Sequence, residues 1–181
     1  FDKIGDRLSD LGTKLSAAIT LPIIGIGVAT TKMAQDFELG LRRVGSLIGG
    51  LSDSELKQFH NQVLELSKTI GVDAVKSTKA LYEAISSGVP KGNAIEFLEV
   101  ASKAAIGGLT ETKVAVDGLT TIINAYGFST AKAKEISDAM FEAVNIGKFQ
   151  FADLAASLSI AIPVASTLGI SFKEIFAAAA T

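Results

Sequence analysis

Residues 108–129 read GLTETKVAVDGLTTIINAYGFS, a helical stretch held between two similar breaks. Each break consists of a Gly, an apolar residue and a small polar residue. The Gly accepts the left-handed backbone that closes a helix. The polar side chain can then accept hydrogen bonds from the first N–H groups of the next helix, while the apolar residue packs across the corner. The pattern therefore predicts short helices joined by tight corners.

The same break recurs outside this stretch, and from Gly108 onward it comes about every twenty residues. One copy ends in Val72-Asp73 and another in Ile170-Ser171, whereas Lys148-Phe149-Gln150 follows a variant of the break. We expect five glycines to form helix corners with left-handed backbone: Gly71, Gly108, Gly127, Gly147 and Gly169.

Between the breaks, apolar residues recur every three or four positions, as on one face of a helix. No run alternates with the period of two that a strand requires. Ser52 with Glu55, and Ser171 with Glu174, have the spacing of capping boxes. We expect helices that begin at Ser52, Asp73 and about Asn93, helices over about 110–126, 129–146 and 150–168, and a last helix that begins at Ser171. The predicted fold class is all-α, a stack or bundle of short helices and helical hairpins.

The apolar stripes of these helices predict a core. Eight side chains are expected to be mostly buried: Leu81, Ile85, Leu98, Leu119, Ile122, Ile123, Phe141 and Leu154.

The first 50 residues differ from the rest. Residues 2–19 have the pattern of an amphipathic helix, an apolar segment follows, and a lead-in helix ends at Gly49-Gly50. Residues 51–181 form an Ala-rich helical module. We interpret the chain as a fragment of a longer protein, because it begins with Phe1 rather than Met and ends within an alanine-rich helical pattern.

Two stretches, residues 15–31 and 154–172, carry no charge. Both have about the 17–25 residues that cross a bilayer as a helix. Each is diluted by Ser, Thr, Gly and Pro, so a helix buried within protein is the alternative interpretation. In the first stretch, the candidates for contact with a membrane or a partner are Leu21, Ile23, Ile24, Ile26 and Val28.

The composition excludes several kinds of chemistry. Without Cys there can be no disulfide, thiolate metal site or Cys nucleophile. His60 is the only His and cannot build a His-based zinc site. A net charge of −2 gives no electrostatic signature of nucleic-acid binding. We predict no catalytic residue, cofactor or metal, and no sequence-specific binding of nucleic acid.

Four stretches resemble, in order and spacing, the core region of the tail tape measure proteins of tailed bacteriophages and prophages. They are AQDFE at 34–38, ALYEAISSG at 80–88, VDGLTTIINAYGF at 116–128 and PVASTLGISFKE at 163–174. The resemblance covers about residues 30–181. The chain departs from the family pattern at Val89-Pro90 and at the doubled Gly107-Gly108, which leaves the geometry of those corners open.

The resemblance implies a structural protein without catalytic residues. Such a protein is made in the host cytoplasm, lies inside the tail tube, sets tail length and templates tube assembly. It leaves ahead of the DNA at ejection, and some members help the genome cross the host envelope. Implied partners are tail tube proteins, tail-tip or baseplate proteins, further copies of the chain and the host membrane. The alternative is a non-viral helical module for protein–protein interaction.

Overall fold

The computed structural model describes residues 31–50 and 52–181. This part of the chain contains eight α-helices, two short 3-10 turns and no strand, so the all-α prediction is confirmed. The 3-10 turns cover Lys91–Asn93 and Thr130–Lys132. The helices are α1 (residues 31–47), α2 (Asp53–Ile70), α3 (Ala74–Ser86), α4 (Ala94–Gly107), α5 (Thr112–Tyr126), α6 (Ala133–Gly147), α7 (Phe151–Thr167) and α8 (Phe172–Ala179).

The chain divides into two compact units, Phe1–Glu38 and Leu39–Thr181. In the first unit, the described residues 31–38 are helical and mostly exposed, apart from the buried Phe37. The sequence-based division into residues 1–50 and 51–181 remains a prediction.

Both predicted capping boxes are present. The Ser52 hydroxyl accepts a hydrogen bond from the Glu55 N–H at 3.3 Å, and the Glu55 carboxylate accepts one from the Ser52 N–H at 3.0 Å. At α8, the equivalent distances between Ser171 and Glu174 are 3.3 and 2.8 Å. These side chains satisfy N–H groups that have no partner inside the helix, which fixes where α2 and α8 begin.

The other polar caps agree with the expectation only in part. Asp73 caps α3, since its carboxylate accepts from the Lys76 N–H at 2.8 Å. The expected caps at Thr110 and Ser129 are wrong. Glu111 occupies the cap position of α5 without a side-chain hydrogen bond, and a 3-10 turn separates Ser129 from α6.

The predicted glycine corners also divide into two groups. Gly71, Gly127 and Gly169 have φ of +79°, +64° and +74°, in the left-handed region that was expected. Gly108 and Gly147 also lie at helix ends, as expected, but the left-handed backbone is wrong there: Gly108 has φ of −86°, and Gly147 is the last residue of α6. At those two corners the following residues, Leu109 and Lys148, take positive φ of 50° and 55° instead.

Close packing explains why the latter two positions carry glycine. A Cβ atom on Gly108 would lie 2.7 Å from Cβ of Phe151. One on Gly147 would clash with the ring of Phe149 and would lie 3.0 Å from Cα of Ala180. These distances are shorter than van der Waals contact between carbon atoms. Gly108 therefore provides space for α7, Gly147 provides space for the Phe149 ring and the end of α8, and each turn is made one residue later.

Helix α5 is the centre of the unit, since it packs against α3, α4, α6 and α7. Six of the eight predicted core side chains are buried, whereas Ile85 and Phe141 remain partly exposed. Leu119 and Ile122 of α5 are fully buried, as are Leu81 of α3 and Leu98 of α4. The sequence thus identifies the core-facing side of these helices correctly.

Gly118 allows α5 to approach two neighbours at once. A Cβ atom at this position would lie 3.2 Å from Cβ of Ala155 on α7 and 3.3 Å from Cε of Met140 on α6. A Gly inside a helix costs about 0.8–1 kcal/mol relative to Ala. Because Gly118 has an ordinary helical backbone, the close contacts are the structural reason for a glycine here.

Replacing Gly118 by Val should therefore lower the free energy of unfolding by about 1–3 kcal/mol through overpacking. The measurement is urea denaturation followed by circular dichroism. Gly92→Val is the matched control, because nothing lies within 4 Å of a Cβ built there. The control should change stability by no more than about 0.5 kcal/mol. Equal destabilisation by both substitutions would show that Gly118 is not a packing requirement.

Candidate functional site

An aromatic cluster connects the α5–α6 corner to the α7–α8 corner. The rings of Tyr126 and Phe128 stack at 5.4 Å between centroids, and Phe172 lies edge-on to both at about 6 Å. The Tyr126 hydroxyl donates a hydrogen bond to the Ile170 carbonyl at 2.6 Å. Burial raises the pKa of Tyr126, with a smaller contribution from Glu174, so the hydroxyl remains a donor at neutral pH. This cluster fixes the position at which α8 begins.

As a result, α8 lies beside α6 and runs in the same direction. Near the first turns of both helices, Lys173 forms a salt bridge of 2.8 Å with Glu135. At the other end, Gly147 lies against Ala180. A groove of about 380 Å³ runs between the two helices. We call it the α6–α8 groove; its apolar lining consists of Ala139, Ala143, Ile146, Phe176, Ala177 and Ala180.

Three carboxylates of α6 also line this groove: Glu135, Asp138 and Glu142. Hydrogen bonds, first from Lys132 and then from Lys173, lower the pKa of Glu135 from 4.5 to about 2, so this carboxylate is ionised at neutral pH. Asp138 accepts a hydrogen bond from Lys134 at 2.7 Å. Glu142 makes no ion pair within the described part of the chain.

A second surface lies on α7 and at its end. Ile160, Val164 and Leu168 are 78%, 60% and 69% exposed and follow one another at intervals of four residues, which places them on one line of the helix. We call these three residues the α7 stripe. The opposite face of α7 is buried through residues such as Leu158 and Ile162.

The uncharged stretch 154–172 is not one helix, because α7 ends at Thr167 and α8 begins at Phe172. In the described residues, no single helix has both the length and the apolar character needed to cross a membrane. The segments Thr130–Gly147 and Phe151–Thr167 meet these criteria only as a pair, bent by 112°. The other proposed contact residues, Leu21, Ile23, Ile24, Ile26 and Val28, lie outside the described residues.

The described residues offer no obvious reaction chemistry. Among them, no group of three or more His, Cys, Asp or Glu side chains could hold a metal ion. His60 is partly exposed, with Nδ1 3.3 Å from the Asn61 side-chain oxygen.

The α6–α8 groove is not predicted from the sequence. The spacing of Glu135, Asp138 and Glu142 does indicate that these three carboxylates share one face of α6. The α8 side of the groove is not indicated by spacing along one helix. Ala177 and Ala180 line the groove because the chain turns at Gly169 and places α8 beside α6.

Comparison with known proteins assigns the family. The family described as "Phage-related minor tail protein" matches residues 60–181, well over half of the chain. The chain belongs to this family. No solved structure matches the chain significantly.

Two curated relatives of this minor tail protein chain carry tape measure names. The "Probable tape measure protein" of Clostridium phage phiCD119 is 28% identical over 94% of the chain, and the "Tape measure protein" of Pneumococcus phage Dp-1 is 24% identical over 95%. These matches confirm the predicted resemblance to tape measure proteins. The chain covers only 19% and 15% of the length of the two relatives.

Proposed function

We propose that this chain is part of a tape measure protein and has a structural rather than an enzymatic role. In this proposal the protein lies inside the tail tube, sets tail length, templates tube assembly and leaves the tail at DNA ejection. The observation that carries the proposal is the family match over residues 60–181, supported by two relatives named as tape measure proteins.

The fold limits which part of that task this region can perform. A helix rises about 1.5 Å per residue, so only an extended helix converts chain length into tail length efficiently. In the second unit, corners at Gly71, Gly127 and Gly169 turn the chain back repeatedly. We infer that this region is a compact module of the ruler, and that length is counted elsewhere in the longer protein.

A compact module inside a tail would contact other tail proteins. We propose tail tube proteins, tail-tip or baseplate proteins and further copies of the chain as its partners. The α7 stripe supports self-association, since large apolar side chains in a row on a surface are typical of interfaces. A non-viral helical interaction module would use such surfaces equally well. The two functions are therefore distinguished by whether the protein is present in virions.

Mass spectrometry of purified virions tests the location. The tryptic peptide 114–132 should be present in intact particles and depleted, relative to a tail tube protein, in particles that have ejected their DNA. Absence of the peptide from virions that pass a second gradient would favour the non-viral alternative. Equal amounts before and after ejection would contradict release with the DNA.

Membrane contact after release forms a second part of the proposal. Residues 15–31 are uncharged, and Lys14 and Lys32 bracket them, so both ammonium groups could reach the interface of a bilayer. Pro22 and the glycines of this segment are tolerated in membrane helices whose neighbours satisfy the freed backbone groups. The α7 stripe is the other candidate, although its helix buries the opposite face in the module.

Liposome co-sedimentation of the chain tests this part. Asp at a bilayer centre costs about 2.5–3.5 kcal/mol on insertion scales. The double variant Ile24→Asp, Ile26→Asp should therefore lose most binding to phosphatidylcholine–phosphatidylglycerol vesicles. The matched variant Ile160→Asp, Val164→Asp adds the same charge to the α7 stripe and should still bind the vesicles. If only the second variant loses vesicle binding, the membrane contact lies on α7. If the unmodified chain does not bind vesicles, the proposed membrane contact is contradicted.

A further inference from the structure

The α6–α8 groove has the shape of a receptor for large side chains. Four alanines and the buried Phe176 form most of its apolar lining, and three carboxylates and Lys173 line the rest of it. Beside these short side chains, Ile146 is 61% exposed at the carboxyl end of α6. Leu or Phe side chains that project from another helix could enter between the two helices, as in other helix-in-groove complexes. The apolar surface is therefore concave rather than a flat patch.

The charges around the groove are unequal. Near the amino end, Glu135 is paired with a lysine of the preceding 3-10 turn and with a lysine of α8, and Asp138 is paired with a lysine of α6. Glu142 lies one turn after Asp138, between the alanine walls and Ile146, and has no ion-pair partner among the described residues. A ligand that covers the groove would remove water from this carboxylate, which is costly unless the ligand supplies a cation.

We propose that the α6–α8 groove binds an amphipathic helix of another protein chain. The bound helix places large apolar side chains between the alanines and a Lys or Arg against Glu142. This assignment rests on the geometry and charge of the groove and does not depend on the role of the module in a tail.

Charge complementarity favours this occupant over two others. The α7 stripe of a second copy would bring no cation, because residues 154–172 carry no charge. Glu142 would then be buried without a partner. An anionic membrane surface would bring no protein cation to Glu142, and its charge would repel this carboxylate; the other two carboxylates of the groove are already paired with lysines. A helix with basic residues beside its apolar face fits the apolar groove and supplies a cation to Glu142.

Two synthetic 18-residue peptides test the proposal on the whole chain. Both carry Leu at positions that form one helix face; the remaining positions are Lys and Ala in one peptide, and Glu and Ala in the other. Fluorescence anisotropy should show binding of the Lys peptide and none of the Glu peptide. Glu142→Lys should weaken binding of the Lys peptide by about tenfold, since it replaces an attraction by a repulsion.

Matched variants distinguish binding of the peptide in the groove from non-specific electrostatic or apolar attraction to the surface of the chain. Glu65→Lys makes the same charge change on the exposed face of α2 and should leave the dissociation constant within about twofold. Ala177→Trp should block the groove, whereas Ala161→Trp adds the same side chain at an exposed position of α7 and should not. Circular dichroism verifies that each variant is folded.

Three results would overturn the proposal. The first is no binding of the Lys peptide at concentrations on the order of 1 mM, which corresponds to negligible affinity. The second is equal loss of binding in the control variants. The third is self-association of the unmodified chain, seen by sedimentation, that Ala177→Trp abolishes, because the occupant would then be a second copy.

Discussion

The close approach of α5 to α6 and α7 is the constraint on which the second unit depends. Residue 118 has no side chain, so α5 can contact Ala155 and Met140 at the same level. Because α5 also packs against α3 and α4, any outward shift would open several interfaces together. Interiors of proteins are packed as densely as organic crystals and absorb such a shift poorly. The position of one helix therefore determines the arrangement of most of the others.

Glycine performs two distinct tasks in this chain, and the sequence distinguishes them incompletely. Local pattern correctly predicted the left-handed backbone at Gly71, Gly127 and Gly169 and both capping boxes, because these features depend on residues a few positions apart. It failed at Gly108 and Gly147. Phe151 of α7 is the reason for glycine at position 108, whereas the ring of Phe149 together with Ala180 is the reason at position 147. A tertiary neighbour such as Phe151 leaves no trace in a local motif.

The same limit applies to the candidate site. The acidic side of the α6–α8 groove follows from spacing along one helix, but its shape follows from the aromatic contacts of Tyr126 and Phe172, which place α8 against α6. Family membership, in contrast, was recognisable from the order of several weak motifs, and the match over residues 60–181 confirms it. Residue chemistry alone would have indicated a helical interaction module and no more.

The central structural claim is that residues 39–181 fold as a compact unit of packed helices rather than as one long helix. Small-angle X-ray scattering of the unit Leu39–Thr181, extrapolated to zero concentration, tests it directly. The packed helices predict a radius of gyration of about 15 Å for a unit of this size. One continuous helix of the same residues would be roughly 215 Å long and would have a radius of gyration of about 60 Å. A value near the larger figure would contradict the folded module.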